Sequence, residues 1–338
     1  MSNSSFIIQD ISECFDFREE LLKAISFIPL ALCSTICNAI LITAILWSSH
    51  LRCYREIQIV CALSIADFIE AFATVCAGIY RAIVILLDLT NIKFNLLQCM
   101  LLPHSWLWRW SDFATSFMLL TTTFDRLFSV ILPLKYMKWS STYSFIAIGT
   151  PYTLSILLSI FAWHRPITEY VEISMLCTNI YISPTFYMFS KYLTAIISTL
   201  SVILYIPIVL IIRIQRKHIS QILTNSQIVR QRRAQMRMTM TLAFSCFVTF
   251  FLDAMPRAIG IYGSSDENAV KAEKQCESFM QILFHLTKLN SIINLFLHYY
   301  RNPALRESVL SIIRMFYVGK FFISKFAKFI SKFINFFS

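Results

Sequence analysis

The sequence predicts an all-α membrane protein: a bundle of seven transmembrane helices followed by a short cytoplasmic amphipathic helix. Three observations predict this class. Of the 338 residues, 57% are hydrophobic, only 14% are charged, and the apolar residues are collected in seven long runs. Soluble domains carry about 25% charged residues and cannot cover so much apolar surface. Lipid is therefore the expected solvent for most of the chain.

Each of the seven runs is long enough to cross a bilayer as a helix, which takes about 20 mostly apolar residues. Three runs contain no charged residue, namely Ala24–Trp47, Tyr143–Trp163 and Tyr192–Ile212. Four runs contain isolated ionisable groups, namely Ile57–Tyr80, Cys99–Leu132, Arg237–Tyr262 and Phe279–Tyr300. The expected organisation is an extracellular segment 1–23, a seven-helix unit 24–300 and a cytoplasmic segment 301–338.

Basic residues are distributed unequally between the segments that join the runs. If the N-terminus lies outside the cell, the inner segments contain 19 Lys and Arg residues and the outer segments contain 8. Because basic residues are retained on the cytoplasmic side, we expect a multi-pass protein of the cell membrane with its C-terminus inside. The net charge of +11 then fits anionic membrane lipid and predicts no nucleic-acid partner. The sequon at Asn3 would lie outside, open to glycosylation.

Short motifs follow one another in a fixed order along the runs. The third run ends in Asp125-Arg126, and Pro-Leu-Lys-Tyr follows at 133–136. The second run contains Leu-Ser-Ile-Ala-Asp at 63–67. This order closely resembles that of the rhodopsin-like G-protein-coupled receptors. The divergent sixth run, Phe-Leu-Asp-Ala-Met-Pro-Arg at 251–257, is similar to that of the nematode serpentine chemoreceptors.

The resemblance implies a receptor with two partners. A small-molecule or peptide ligand would bind in the outer half of the bundle, and a heterotrimeric G protein would bind at the inner face. Arg126 would contact the G protein in the active state, and Asp125 would restrain Arg126 at rest. The resemblance also implies a disulfide between Cys99 and Cys177. A second bridge, Cys14–Cys276, is a further candidate, since four cysteines lie on the outer side.

A polar cluster is expected in the middle of the bundle. Its members are Asn38, Asp67, Asn290 and Asn294. The resemblance implies a site for sodium or water beside Asp67, and the alternative is a hydrogen-bonded packing network without an ion. No other cofactor is expected.

The candidate ligand-binding residues are ionisable side chains at suitable depth in the outer half. They are Glu70, Arg109, Asp112, Asp253, His285 and Lys288, with Arg257 beside them. A charge at this depth costs about 3 kcal/mol and needs a partner. Arg109 with Asp112, and Asp253 with Arg257, share helix faces and could neutralise each other. Since three acids and three bases sum to zero, the ligand's charge does not follow from the sequence.

Lys288 lies six residues before Asn294, as the retinal-linking lysine of opsins does. Leu295 and His298 replace the Pro and Tyr that opsins keep in this helix, so a salt bridge from Lys288 to Asp112 or Asp253 is the preferred interpretation. The predicted function is a chemosensory G-protein-coupled receptor. The alternatives are a peptide, amine or light receptor of the same fold and, in another class, a transporter or channel. No catalytic motif predicts an enzyme.

The C-terminal segment repeats Phe and Lys. At about 100° per residue, its phenylalanines fall on one broad face of a helix, with Lys325, Lys328 and Lys332 in a narrow arc beside it. This pattern predicts a helix that lies in the membrane interface. A disordered tail is the alternative.

Overall fold

The structure is a computed structural model that describes residues 17–139, 141–219, 244, 247–259, 285–293, 296–297, 299–300 and 302–315. Its long helices are α1 (Phe17–Trp47), α2 (Arg55–Leu86), α3 (Pro103–Ile131), α4 (Ser141–Ile160) and α5 (Pro184–Ile219). Three further helical stretches follow, α6 (247–259), α7 (285–293, with 296–297 and 299–300) and α8 (303–315). The predictions for Asn3, Asn294, the Cys14–Cys276 bridge and the Phe- and Lys-rich tail lie outside these residues.

Short elements connect the helices. They are the helices Ser49–Arg52, Leu96–Leu101, Pro133–Lys138, His164–Thr168 and Asn179–Ile182, the 3-10 turn Phe161–Trp163, and the strands β1 (Lys93–Asn95) and β2 (Glu172–Ser174). Proline opens α3, α5 and α8. Its fixed φ suits the first helical turn, where its missing N–H would have no partner.

Four helical stretches in the described residues are long and apolar enough to cross a membrane: Ala24–Trp47, Arg55–Leu86, Thr142–Thr168 and Pro184–Ile214. The most apolar stretches of α1 and α4 are only 22% and 17% buried, so large apolar side chains point away from the protein. Phe145, for example, is 80% exposed. Surfaces of this kind are stable against lipid. The prediction of an all-α membrane protein is confirmed.

α3 does not reach the hydropathy of the other long helices, because its inward side chains are polar. It packs against α2, α4 and α5, and its buried residues include Arg109, Asp112, Asp125 and Arg126. The predicted third span began too early, at Cys99. Leu102 is extended, and α3 begins at Pro103. The preceding residues form the separate helix Leu96–Leu101.

α1 and α2 approach closely at Gly78. A Cβ atom placed there would lie 3.1 Å from the Ala24 carbonyl oxygen and 2.9 Å from Ile28 Cγ1. Small residues allow such contacts between helices in membranes, where packing replaces hydrophobic burial as the source of attraction.

One end of the bundle, which we call the disulfide end, is covered by chain that joins the helices. The Cys99–Cys177 disulfide is present, with its Cα atoms 5.3 Å apart, and this prediction is confirmed. β1 pairs antiparallel with β2 beside it. Both cysteines are buried in a cluster with Met100, Phe113 and Phe186. The loop before α5 is therefore fixed over α3.

α8 lies at the opposite end, which we call the Asp-Arg end. The Asn302 side chain caps it by accepting bonds from the backbone N–H groups of Ala304 and Leu305, at 3.1 and 3.2 Å. Leu305, Val309 and Ile312 are buried in one cluster with residues of α1 and α2. Because these residues recur at spacings of four and three, they form one helical face. The amphipathic helix expected after the bundle begins here.

Candidate functional site

Arg257 is the centre of a buried ion-pair network between α3, α5 and α6. Its Nη1 lies 2.7 Å from Asp112 Oδ1, and its Nε lies 2.9 Å from Asp253 Oδ1. The Ser198 hydroxyl donates to Asp253 Oδ2 at 2.6 Å. All four residues are buried. The predicted pairing of Asp253 with Arg257 is confirmed, and one guanidinium also binds the carboxylate of α3.

A second buried ion pair joins α2 and α7, between Lys288 Nζ and Glu70 Oε1. The Thr115 hydroxyl of α3 donates to Glu70 Oε2 at 3.0 Å. The expected salt bridge from Lys288 to Asp112 or Asp253 is therefore wrong in its partner. The physical reason is that Arg257 already binds both of those carboxylates.

The backbone of α6 is irregular where it carries Asp253. Residues Phe250–Ala254 form a π-helical turn, and the Met255 N–H reaches back to the Phe250 carbonyl. The turn ends two residues before Pro256. π turns inside α-helices recur at functional sites, and this one contributes a carboxylate to the network.

Arg109 does not pair with Asp112, contrary to the expectation from their spacing. Asp112 is bound by Arg257 instead, and Lys191 Nζ lies 4.0 Å from its other oxygen. Arg109 Nη2 lies 3.5 Å from Asn179 Oδ1, while Nη1 has no hydrogen-bond partner in the described residues. The Lys191 ammonium also lies over the Trp108 ring, 5.1 Å from its centroid.

His285 is placed apart from this network. Its Nε2 lies 3.2 Å from the Ser26 carbonyl oxygen, and its ring is 4.9 Å from that of Phe27. Both contacts are with α1. The other five candidate ligand-binding residues lie toward the interior, with Arg109 nearest the loop that contains the disulfide.

Three of the four predicted members of the mid-bundle polar cluster lie in described residues. Asn38 Nδ2 donates to Ser291 Oγ at 3.0 Å and to the Ser34 carbonyl at 2.9 Å. Ser291 also lines the cavity beside Asp67. Asn290 lines the same cavity as Asp67 and Ser291. The polar cluster thus connects α1, α2 and α7 through Ser291, which the sequence motifs did not indicate as a member.

The cavity beside Asp67 fits a water molecule or a small cation. It leaves about 20 Å³ open to the centre of a water-sized sphere, which is enough for one such particle. Asp67, Asn290 and Ser291 offer the oxygen donors that hard cations take. Lys288 pairs with Glu70, and Asp67 lines the same cavity. No group of three or more His, Cys, Asp or Glu side chains suitable for a metal ion occurs in the described part of the chain.

The Asp-Arg pair occupies the other end of α3. Arg126 Nη1 lies 2.5 Å from Glu56 Oε1, at the start of α2. Asp125 Oδ1 accepts bonds from Tyr136 at 2.9 Å and Tyr143 at 3.2 Å. Burial and the charge of Asp125 raise the pKa of Tyr136, which keeps that hydroxyl protonated as a donor. Arg126 is therefore restrained by an ion pair with Glu56, and not by Asp125 as expected. Asp125 instead binds Tyr136 in the connection to α4 and Tyr143 in α4 itself.

The sequence did not identify several residues that complete these sites. They are Glu56, Asn179, Lys191, Ser198 and Ser291. Each is a polar group whose partner lies on a different helix or loop, and its spacing from that partner along the chain carries no signal. Only the polarity of Ser198 and Ser291 within apolar runs could have indicated them.

The sequence profile described as serpentine type 7TM GPCR chemoreceptor Srsx matches residues 31–313. No curated protein matches the chain.

Proposed function

The chain belongs to the Srsx family of serpentine seven-transmembrane chemoreceptors, and we propose that it binds a chemical signal at the disulfide end and activates a heterotrimeric G protein at the Asp-Arg end. The disulfide end then faces the outside of the cell, and the Asp-Arg end faces the cytoplasm. Membrane lipid surrounds the exposed apolar faces of α1 and α4.

The observation that carries this proposal is the Arg257 network. One guanidinium links Asp112 of α3 to Asp253 of α6, and Ser198 extends the link to α5. A ligand that bound near Asp112 would change the contacts of Arg257 and so the packing of α6 against α3. The π turn gives α6 a place where its backbone is already irregular. The family description as chemoreceptors favours a chemical ligand over light.

At the other end, the arrangement supports a resting state of the coupling site. Arg126 is 3% exposed and paired with Glu56, so its guanidinium is not open to a partner protein. Activation requires the Arg126–Glu56 pair to open. Asp125 keeps its two tyrosine hydroxyls and holds the following loop in place.

Sodium at Asp67 is part of the proposal. Asp67, Asn290 and Ser291 would hold the ion, and it would supply a counter-charge for the Asp67 carboxylate. Lys288 and Arg257 line the same cavity and limit it to one monovalent cation or one water.

The test is a panel of volatile and water-soluble compounds applied to cells that express the receptor, with G-protein activation as the readout. For any agonist found, Arg126→Ala should lower the maximal response at least about tenfold, since an interaction of about 1.4 kcal/mol or more is removed. Surface expression should not change.

Arg165→Ala is the matched control, because Arg165 makes exposed contacts at the disulfide end, an ion pair with Glu169 and a hydrogen bond to the Tyr181 carbonyl, and exposed pairs contribute little. An unaltered response in Arg126→Ala cells would contradict the assigned coupling role.

A further inference from the structure

Arg109 is a buried cation that has no ion pair with any of the described residues. Its side chain is on α3, and the residue is 6% exposed. No carboxylate in the described part of the chain lies within ion-pair distance of it, and Nη1 has no hydrogen-bond partner there. Its polar contact in that part of the chain, with Asn179 at 3.5 Å, is at the limit of a hydrogen bond, and its guanidinium lies 5.8 Å from the centroid of the Phe186 ring. An isolated buried charge is costly, so a fold keeps one where a partner is to bind.

The surrounding charges leave this part of the bundle positive. Arg257 and Asp253 neutralise each other, which leaves Arg109 and Lys191 against Asp112. Among the described residues the excess is one positive charge. Lys288 pairs with Glu70, so these two groups do not change the count. Lys191, which the sum from the sequence did not include, makes the region near the disulfide end cationic among the described residues.

The Arg109 guanidinium lines a cavity next to this charge. The other lining residues are Trp108, Asp112, Asn179, Phe186, Tyr187 and Ser190. The enclosed space has room for about one water molecule, so it can take a carboxylate oxygen of a head group and not a whole ligand. The aromatic side chains of Trp108, Phe186 and Tyr187 line the cavity, and the apolar part of a ligand would pack against them.

We propose that this cavity binds the carboxylate of an organic acid, with Arg109 as the recognition residue and Asn179 as its polar neighbour. Arg presents parallel N–H donors that match a carboxylate, and a single negative charge cancels the local excess. Lys191, held over Trp108 and Tyr187, adds long-range attraction for the anion. This inference rests on the proposed receptor function and names the ligand class of its site.

The first test needs no ligand. In receptor purified in neutral detergent, Arg109→Gln should raise the unfolding temperature by about 2 °C or more, because an uncompensated buried charge is removed. Arg109→Lys keeps the charge and should not raise it. Arg306→Gln, on the exposed face of α8, is the control and should leave it unchanged. A lowered unfolding temperature in Arg109→Gln would mean that the guanidinium is already paired at rest, and it would overturn the proposal.

The second test uses phenylacetate as the probe, with phenylacetamide and phenethylamine as the neutral and cationic counterparts. At about 10 mM, where a millimolar dissociation constant gives near saturation, phenylacetate should raise the unfolding temperature of the wild type. The phenylacetate concentration that gives half of this effect should be at least tenfold higher in Arg109→Gln. Equal stabilisation by the amide or amine, or none by phenylacetate, counts against a carboxylate site.

Repeating the titration in nanodiscs with and without phosphatidylserine separates two sources of the anion. Competition by the lipid assigns the site to a lipid carboxylate, and the absence of competition assigns the site to a free acid.

The G-protein assay distinguishes the failure of the carboxylate site from the failure of the proposed receptor function. Binding of the acid with no G-protein activation by any compound of the panel would refute the coupling function alone, whereas agonists that are all neutral or cationic would refute the carboxylate site alone.

Discussion

Glu56 is the residue that restrains the Arg126 guanidinium in this structure. Its side chain is 42% exposed, whereas that of Arg126 is 4% exposed, so solvent screens the pair from one side. Exposed pairs contribute about 0.2–1 kcal/mol. The restraint is therefore weak enough for a ligand or a G protein to overcome.

Replacement of Glu56 tests this restraint. Glu56→Gln keeps the size of the side chain and removes its charge, so Arg126 should be released more often. We expect ligand-free signalling to rise about two- to fivefold, measured as basal G-protein activation at equal surface expression. Glu172→Gln, an exposed glutamate in β2 at the disulfide end, should leave the basal signal unchanged. A basal signal that falls in Glu56→Gln would mean that Glu56 supports the active state.

At the residue scale, the sequence could predict pairs that share one helix and not pairs that bridge helices. Asp253 and Arg257 are four apart, which places them on one face, and they pair. Arg109 and Asp112 satisfy the same kind of rule, but Arg257 from another helix binds Asp112 first. Lys288 is separated from Glu70 by 218 positions, and only the packing of α2 against α7 brings them together.

At the scale of elements, the contact between α1 and α2 depends on the absence of a side chain at Gly78. Gly78→Ala would place a methyl group against the Ala24 carbonyl and Ile28, and overpacking costs about 1–3 kcal/mol. We expect a lower unfolding temperature and less receptor at the cell surface.

The matched control is Gly149→Ala in α4, where a Cβ would have no neighbour within 4 Å. It should be neutral or slightly stabilising, since Ala favours helix. If both variants lost the same amount of stability and of surface receptor, the effect would come from replacing a glycine in a helix and not from the contact between α1 and α2.

The C-terminal segment beyond α8 keeps its prediction of an interfacial helix. A synthetic peptide of residues 318–338 should become helical with anionic vesicles and much less so with neutral ones, as measured by circular dichroism. Each lysine near an anionic leaflet adds about 1 kcal/mol, so replacing Lys325, Lys328 and Lys332 by Gln should weaken binding by about two orders of magnitude. Coil-like spectra with both kinds of vesicle would reject the helix.

Sequence patterns predicted long elements well and short ones poorly. Apolar runs placed α1, α2, α4 and α5, because a span of about 20 residues leaves a strong signal. β1 and β2 have three residues each, too few for an alternation to be recognised. The break before Pro103 was overlooked because the apolar run continues through it.

For the whole molecule, the orientation in the membrane is the prediction that all others depend on. The excess of basic residues at the Asp-Arg end should keep that end in the cytoplasm. An epitope tag at Met1 should therefore be stained on intact cells, and a tag after Ser338 only after permeabilisation. The reverse pattern would place Arg126 outside, where no G protein could reach it.

The π turn in α6 has a consequence for any alignment with relatives whose sixth helix is uninterrupted. A π turn holds one residue more than an α turn, and each residue rotates a helix by about 100°. A one-residue gap must therefore be placed within Phe250–Ala254. If it is left out, the relatives' counterpart of the buried Thr249 is matched to Phe250, which is 40% exposed. Residue numbers transferred along the part of the helix before the turn would then be displaced by one position, which is about 100° around the helix.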